Sequence, residues 1–257
     1  MAYLGCNFDM VRFKKMTIET YGVGKRLRAA ARLCASLSGE HIILLPVPTT
    51  KDGKHITATE ILLYDTLSGV DEKTHIFGYG LPEEYKKRAE EPGAKVIDLA
   101  LDEDFLIENA KITAAGALGY ILTSTETAPS ELSVGVFGYG RIGSALVRLL
   151  LFLGAHVRVY TSRKEVRMEL ARCQIDSEDV GACNFSGLDL LINTAPTDMR
   201  SYFPLGVLPL GLRVIELASG DNFHGIEGIE NLPALPERMF PESAGKAYFA
   251  AVKRALL

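Results

Sequence analysis

The sequence predicts an α/β protein of two domains, each built on a largely parallel sheet. Three observations carry that prediction. Short β-type runs alternate with helical segments along the chain. The alternation is interrupted once, by a long helical segment rich in small residues over 105–124. It then restarts as a strand–turn–helix–strand unit around a glycine-rich turn at 138–143. A length of 257 residues suits two modest domains. The 47% hydrophobic and 23% charged residues are enough to fill two cores.

The elements follow in order. MAYLG is a candidate first strand and TIETYG (17–22) a second. Residues 25–38 read as a helix with small and apolar side chains on one side. HIILLPVP (41–48) is the strongest early strand, ended by Pro46 and Pro48. THIFGYG (74–80) and AKVIDLA (94–100) repeat the strand pattern, and LPEEYKKRAEE between them is helical with a solvated charged face. Residues 1–104 form the predicted first domain, flavodoxin- or Rossmann-like. Residues 105–125 form a domain-crossing helix, followed by the loop TETAPSEL. Residues 126–240 form a doubly wound parallel-sheet domain. Residues 241–257 end the chain as an amphipathic helix, SAGKAYFAAVKRALL, which Ser243 can cap and which Tyr248, Val252 and Leu256 anchor at helical spacing. This helix is expected to return to the first domain.

Bulk properties exclude several classes. A net charge of −4 offers no whole-protein attraction to nucleic acid or an anionic membrane. No apolar run approaches the ~18 residues that span a bilayer. The longest, LVRLLLFLGA, is interrupted by Arg148 and stops at Gly154. The amino end lacks a signal-peptide pattern. Cys6, Cys34, Cys173 and Cys183 show no metal-ligand or CxxC spacing, so reduced thiols in the cytoplasm are expected.

The chemistry concentrates in SVGVFGYGRIGSALVRLLLFLGAHVRVYTSR. The apolar run ends at Gly138-Tyr139-Gly140-Arg141-Ile142-Gly143, a helix follows at once, and a second strand returns. GxGxxG in that context is the fingerprint of a Rossmann dinucleotide site. Gly138 permits the tight turn, Gly140 lets a pyrophosphate approach the backbone, and Gly143 lets helix and strand pack closely. Arg141 and Ile142 start the helix whose free N–H groups face the phosphates. The alternative is a turn needed only for packing, which would explain one glycine but not three at this spacing.

The end of the second strand bears on the cofactor. NAD sites usually carry a carboxylate about 20 residues after the first glycine. Here the stretch is Tyr160-Thr161-Ser162-Arg163-Lys164, with no carboxylate before Glu165. Thr161, Ser162 and Arg163 suit a 2′-phosphate, which favours NADP and leaves NAD as the alternative. The competing reading of Arg163 and Lys164 is solvated loop charge. LDLLINTAP (188–196) and RVIELASG (213–220) are further strands whose ends place Thr194, Ala195, Pro196, Ala218 and Ser219 to line the nicotinamide end.

Beyond the fingerprint, LINTAP, ELASG, ALPERMFPESAGKAYFAAV, HIILLPVPTTKDG and ENAKITAAGALGYIL occur in an order and spacing that resemble the A-type subunit of dipicolinate synthase over most of residues 40–257. The resemblance implies a two-domain NADP-linked oxidoreductase that converts a dihydrodipicolinate-type precursor to dipicolinate during sporulation. It also implies a partner, the flavoprotein-like B-type subunit of dipicolinate synthase. The matching positions are the glycine loop, Pro46-Val47-Pro48 with Thr49, Asn109 with Thr113 and Gly116, Asn193 to Pro196, and Pro241 with Ala244 and Gly245. Three positions depart from the family pattern: Ala115 stands where it has an acidic residue, Glu242 where it often has Lys, and Glu216 where Asp is usual.

Oxidising a dihydropyridine dicarboxylate requires the ring to be oriented and its carboxylates held. Candidate binders are Thr49 with its Thr50-Lys51 loop, Thr113, and Ser243 with the N–H groups starting the last helix. An interdomain cleft is the expected place for such a ligand. No acid–base residue stands out: His55 and His75 are first-domain candidates, His224 is a loop histidine, and His156 reads as structural. Two alternatives stay open. A 2-hydroxy-acid dehydrogenase shares the layout, but ELASGDNF lacks its Arg and LPALPERMFPESAG lacks its His. A dinucleotide-binding partner protein without catalysis is the other. Homo-oligomerisation is left open.

Overall fold

The structure, a computed structural model, describes residues 11–13, 16–37, 41–203 and 205–257. The candidate strand MAYLG and Cys6 lie outside the described residues. The chain divides into two compact units, Met1–Asn109 with Pro236–Leu257, and Ala110–Leu235.

In the first unit, β1 (Val11–Phe13) pairs antiparallel with β2 (Met16–Thr20). Helix α1 (Lys25–Cys34) leads to β3 (His41–Leu44), β4 (Thr74–Gly78), α2 (Glu83–Glu90) and β5 (Lys95–Asp98). The sheet runs β1-β2-β3-β4-β5, with every pair after the first parallel. Such strands are covered on both faces, which is why they read as continuous apolar runs. Ile42, Ile43, Leu44, Ile76 and Phe77 are fully buried. Helix α3 (Glu103–Ser124) follows, and the division between units falls within it. It starts two residues before the expected Phe105 because Asp102 caps it, accepting the Phe105 N–H at 3.0 Å.

The second unit holds β6 (Ser133–Phe137), α4 (Arg141–Phe152), β7 (His156–Tyr160), α5 (Lys164–Arg172), β8 (Asp176–Glu178), β9 (Leu190–Asn193), β10 (Arg213–Glu216) and β11 (Ile229–Asn231). Its six strands lie in the order β11-β10-β9-β6-β7-β8, all parallel. That is the doubly wound order, with the direction of winding reversing between β6 and β9. Val134, Val136, Leu146, Val147, Val159 and Ile192 form the centre of one core layer against the buried face of α4. The α/β class with two Rossmann-like sheets stands as the sequence predicts.

The short helix α6 (Leu235–Met239) and α7 (Pro241–Leu256) close the chain. A Cβ on Gly245 would lie 2.5 Å from Ala29 Cβ and 3.0 Å from Ala30 N, so glycine lets α7 cross α1 at backbone distance. Tyr248 is fully buried, and its hydroxyl is 2.9 Å from Leu45 O and 2.8 Å from Phe77 O. One expectation is corrected. Ser243 does not cap α7: the helix begins at Pro241 with Phe240 at the cap and no side-chain cap bond. Proline at the first helical position, already set to helical φ, starts the helix earlier. Ser243 is therefore the third helical residue, and it is exposed.

Candidate functional site

The carboxyl ends of the second sheet bring the predicted loops together. Phe137, Asn193 and Glu216 end β6, β9 and β10 in register. The glycine turn, Thr194–Pro196 and Leu217–Ser219 leave from those three ends. Backbone bonds continue one step past the strands, from Gly138 N–H to Tyr160 O, Thr194 N–H to Phe137 O and Leu217 N–H to Asn193 O, at 2.8–3.0 Å.

The glycine turn has the shape that a pyrophosphate needs. Gly138 has φ of 92°, a region that side chains avoid. Gly140 occupies the N-cap of α4, and a Cβ built there meets nothing within 4 Å. The space above the turn is open. No side chain caps α4 and its first turn carries no acid, so its N–H groups and partial positive charge are available to an anion. Gly143 has the opposite environment: a Cβ there would collide with the Gly138 carbonyl and lie 2.8 Å from Thr194 Oγ1. Thr194 bonds the loop directly, its hydroxyl reaching Phe137 O at 3.1 Å and Gly138 O at 3.2 Å. Arg141 is exposed and Ile142 half-buried at the start of α4.

The β7–α5 turn carries the other cofactor candidates. Ser162 and Arg163 are exposed, whereas Thr161 is buried and accepts the Arg163 N–H at 3.3 Å, so Thr161 shapes the turn from within. The Arg163 guanidinium donates to the Tyr139 carbonyl, bridging this turn and the glycine loop. Helix α5 starts after Arg163 with no side-chain cap. The acid at the neighbouring strand end, Glu178, is 3.3 Å from Arg158 Nη1 and so is paired away from the turn.

Glu216 organises the remaining loops, a role the sequence reading missed. It is 4% exposed. Its carboxylate accepts from Asn193 Nδ2 at 3.0 and 3.2 Å, from the Ala218 N–H at 2.6 Å and from Asn222 Nδ2 at 3.1 Å. Burial pushes its pKa up, against the pull of those donors. Ala195 and Ala218 are half-buried beside it, and Pro196 and Ser219 are exposed. Asn193 also binds both sides of the Ala195 peptide, so one buried cluster sets both loops.

The first unit has its own loop cluster at the carboxyl ends of β3 and β4. Thr49 is fully buried: its hydroxyl donates to Pro46 O at 3.1 Å and accepts the Tyr79 N–H at 2.7 Å. Its single O–H is thus spent inside the turn. Thr50 and Lys51 lie farther along this loop, where Asp52 accepts N–H groups of Lys54 and His55. Thr113 is buried on α3. Glu242 forms an exposed ion pair with Arg32 at 2.7 Å. The histidines are placed as follows. His55 is 2.7 Å from Asp52 and His224 is 2.9 Å from Asp221, both in loops. His75 is buried within β4, and His156 is exposed at the amino end of β7, the edge remote from the loops that end β6 and β9. Arg26, read from sequence as part of an ordinary helix, is buried at the start of α1.

No family model and no curated protein matches the sequence. Solved structures do. The A-type subunit of dipicolinate synthase from Bacillus halodurans superposes with a TM-score of 0.76 at 20% identity, covering 94% of this chain and 97% of that one. Its counterpart in the dipicolinate synthase of Bacillus subtilis gives 0.76 at 20%, covering 96% and 97%. Salmonella D-lactate dehydrogenase gives 0.61 at 13%, covering 95% and 96%. Among the described residues no helix is long and apolar enough to cross a membrane. At these identities the likeness establishes architecture, and the chain has the fold of the A-type subunit of dipicolinate synthase.

Proposed function

We propose that the chain is an NADP-linked oxidoreductase that converts a dihydrodipicolinate-type precursor to dipicolinate. The observation that carries the dinucleotide reading is the open, uncapped glycine turn at the amino end of α4. When bound, the dinucleotide supplies the hydride acceptor. Gly138, Gly140, Arg141, Ile142 and Gly143 would hold its pyrophosphate against α4. Ser162 and Arg163, in a turn without a carboxylate and ahead of the uncapped α5, would bind a 2′-phosphate, with Thr161 fixing the turn. Thr194, Ala195, Pro196, Ala218 and Ser219 would line the nicotinamide end. Thr113 and Ser243 are candidate hydroxyl donors to substrate carboxylates, and Thr49 sets the loop after β3.

The substrate assignment is supported by the ordered motif resemblance over residues 40–257 and by the fold match to two dipicolinate synthase chains. A flavoprotein-like second subunit, the cytoplasm and a role in sporulation belong to the same reading. The D-lactate dehydrogenase likeness favours 2-hydroxy-acid oxidation less, because the loop after β10, Leu217–Phe223, contains no arginine.

The test is direct. The purified chain, with and without the candidate second subunit, is mixed with enzymatically generated hydroxytetrahydrodipicolinate and NADP. Dipicolinate absorbance is expected to rise together with NADPH. No product even with the second subunit, while a simple 2-hydroxy acid is oxidised, overturns the assignment. In parallel, fluorescence titration should show tighter NADPH than NADH binding. Arg163→Ala should weaken NADPH about tenfold or more beyond any loss for NADH, since a charge-assisted bond contributes roughly 1.5–3 kcal/mol. Equal affinities would return the choice to NAD.

A further inference from the structure

Arg26 is 3% exposed, and its Nε and Nη1 atoms are buried with no hydrogen-bond partner among the described residues. A guanidinium does not escape that cost by losing its proton, because it stays protonated across the physiological range. Burial works against its charge, and the nearby Glu237 carboxylate favours it.

The surroundings are those of an anion site. Helix α1 has ten residues, is capped by Gly24 with no side-chain bond, and has no acid in its first turn. Its Lys25 N–H instead donates to Glu237 Oε1, at 2.8 Å, from a residue 212 positions away. A Cβ on Gly24 would collide with that carboxylate, so the glycine leaves the space that it fills. The amino end of α1 follows β2, on the edge where Thr49 and Tyr79 join the ends of β3 and β4 through the Thr49 N–H to Tyr79 O bond at 3.0 Å. Ligands of open α/β sheets sit beyond that edge. The half-buried Glu237 carboxylate therefore binds the helix amino end, while the buried guanidinium of Arg26 feels its charge without a hydrogen bond to it.

We propose that Arg26 and the amino end of α1, across Gly24, form a carboxylate-binding subsite, and that the Glu237 carboxylate occupies it as a tethered stand-in which a small carboxylate ligand displaces. A planar two-oxygen anion matches the fork of a guanidinium and the N–H groups of a helix start together. The inference deepens the function proposed above, for which one carboxylate of a pyridine dicarboxylate is the natural occupant. The subsite itself stands without turnover.

Calorimetric titration of the full chain with dipicolinate, and with succinate as a non-aromatic dicarboxylate, tests this. Glu237→Gln removes the competing charge and leaves Arg26 in place, so dipicolinate affinity should rise about fivefold or more, within the range of helix-terminus charge effects. Arg26→Met should lower it by tenfold or more. Glu237→Gln keeps the test decisive if Arg26→Met fails to fold. Unchanged or weaker binding in Glu237→Gln, unchanged binding in folded Arg26→Met, or no binding of either anion by the native chain and Glu237→Gln overturns the subsite. Affinity changes as expected without NADP turnover would leave the subsite standing and remove the enzymatic assignment. Turnover with affinities indifferent to both variants would do the reverse.

Discussion

Gly140→Val and Gly143→Val separate what the glycine turn does for a ligand from what it does for the fold. At Gly140 the backbone, with φ −88° and ψ −159°, is open to any residue, and a Cβ meets nothing within 4 Å. The cost to folding is confined to replacing a glycine N-cap by valine, about 1 kcal/mol. In a unit of this size that lowers Tm by roughly 2–4 °C. The side chain would instead stand in the open space over the first turn of α4. Losing even one charge-assisted bond to a phosphate costs about 1.5–3 kcal/mol, or about 10- to 100-fold in Kd. At Gly143 the clash is with the Gly138 carbonyl and Thr194 Oγ1, within the protein itself. Overpacking there costs about 1–3 kcal/mol or more, and neither neighbour is a flexible side-chain tip that can swing away. The assay is NADPH fluorescence titration alongside thermal melts. Gly140→Val should lower its melt by only those few degrees and lose its ligand, while Gly143→Val should lose both. A Gly140→Val chain that binds NADPH within threefold of the native Kd would refute the placement of the pyrophosphate.

Two other outcomes are expected. Tyr248→Phe keeps the buried ring and removes the hydroxyl that serves Leu45 O and Phe77 O, so it should cost about 1–3 kcal/mol; an unaltered melt would show that those carbonyls do not depend on it. Glu216 has a raised folded-state pKa, so the native state holds its proton to higher pH than the unfolded state does. Its contribution is present below the ordinary carboxylate range and is lost as pH rises through the raised value. Melts of the native chain and of Glu216→Gln across the acidic range should therefore show the native chain losing stability relative to the variant as pH rises, and a constant or opposite difference would contradict the burial-driven shift.

The glycine turn was legible because its constraints are local: three glycines within six residues serve one turn and one helix start. The long apolar strands were legible for a similar reason, since parallel strands covered on both faces leave no polar alternation to misread. The edge strands β8 and β11 were not, being three residues each and largely polar. Ser243 looked like a cap because serine favours that place, but Pro241 places the cap of α7 at Phe240 instead. Glu216 and Arg26 were illegible for a different reason. Each draws its meaning from distant residues, Asn193 for the first and Glu237 for the second, and no spacing rule connects positions 23 or 211 apart.

The first unit is assembled from both ends of the chain, whereas the second is a single continuous stretch. During synthesis the second unit is complete once Leu235 has emerged. The first must wait for Tyr248, which fills its interior and serves the carbonyls of Leu45 and Phe77. The unit that begins first therefore finishes after the second, and its sheet stays without α7 until Pro241–Leu256 has emerged. Contacts spanning some 200 positions are slow to close. A nick that removes residues 248–257 would spare the second unit and leave the first exposed to aggregation and proteolysis.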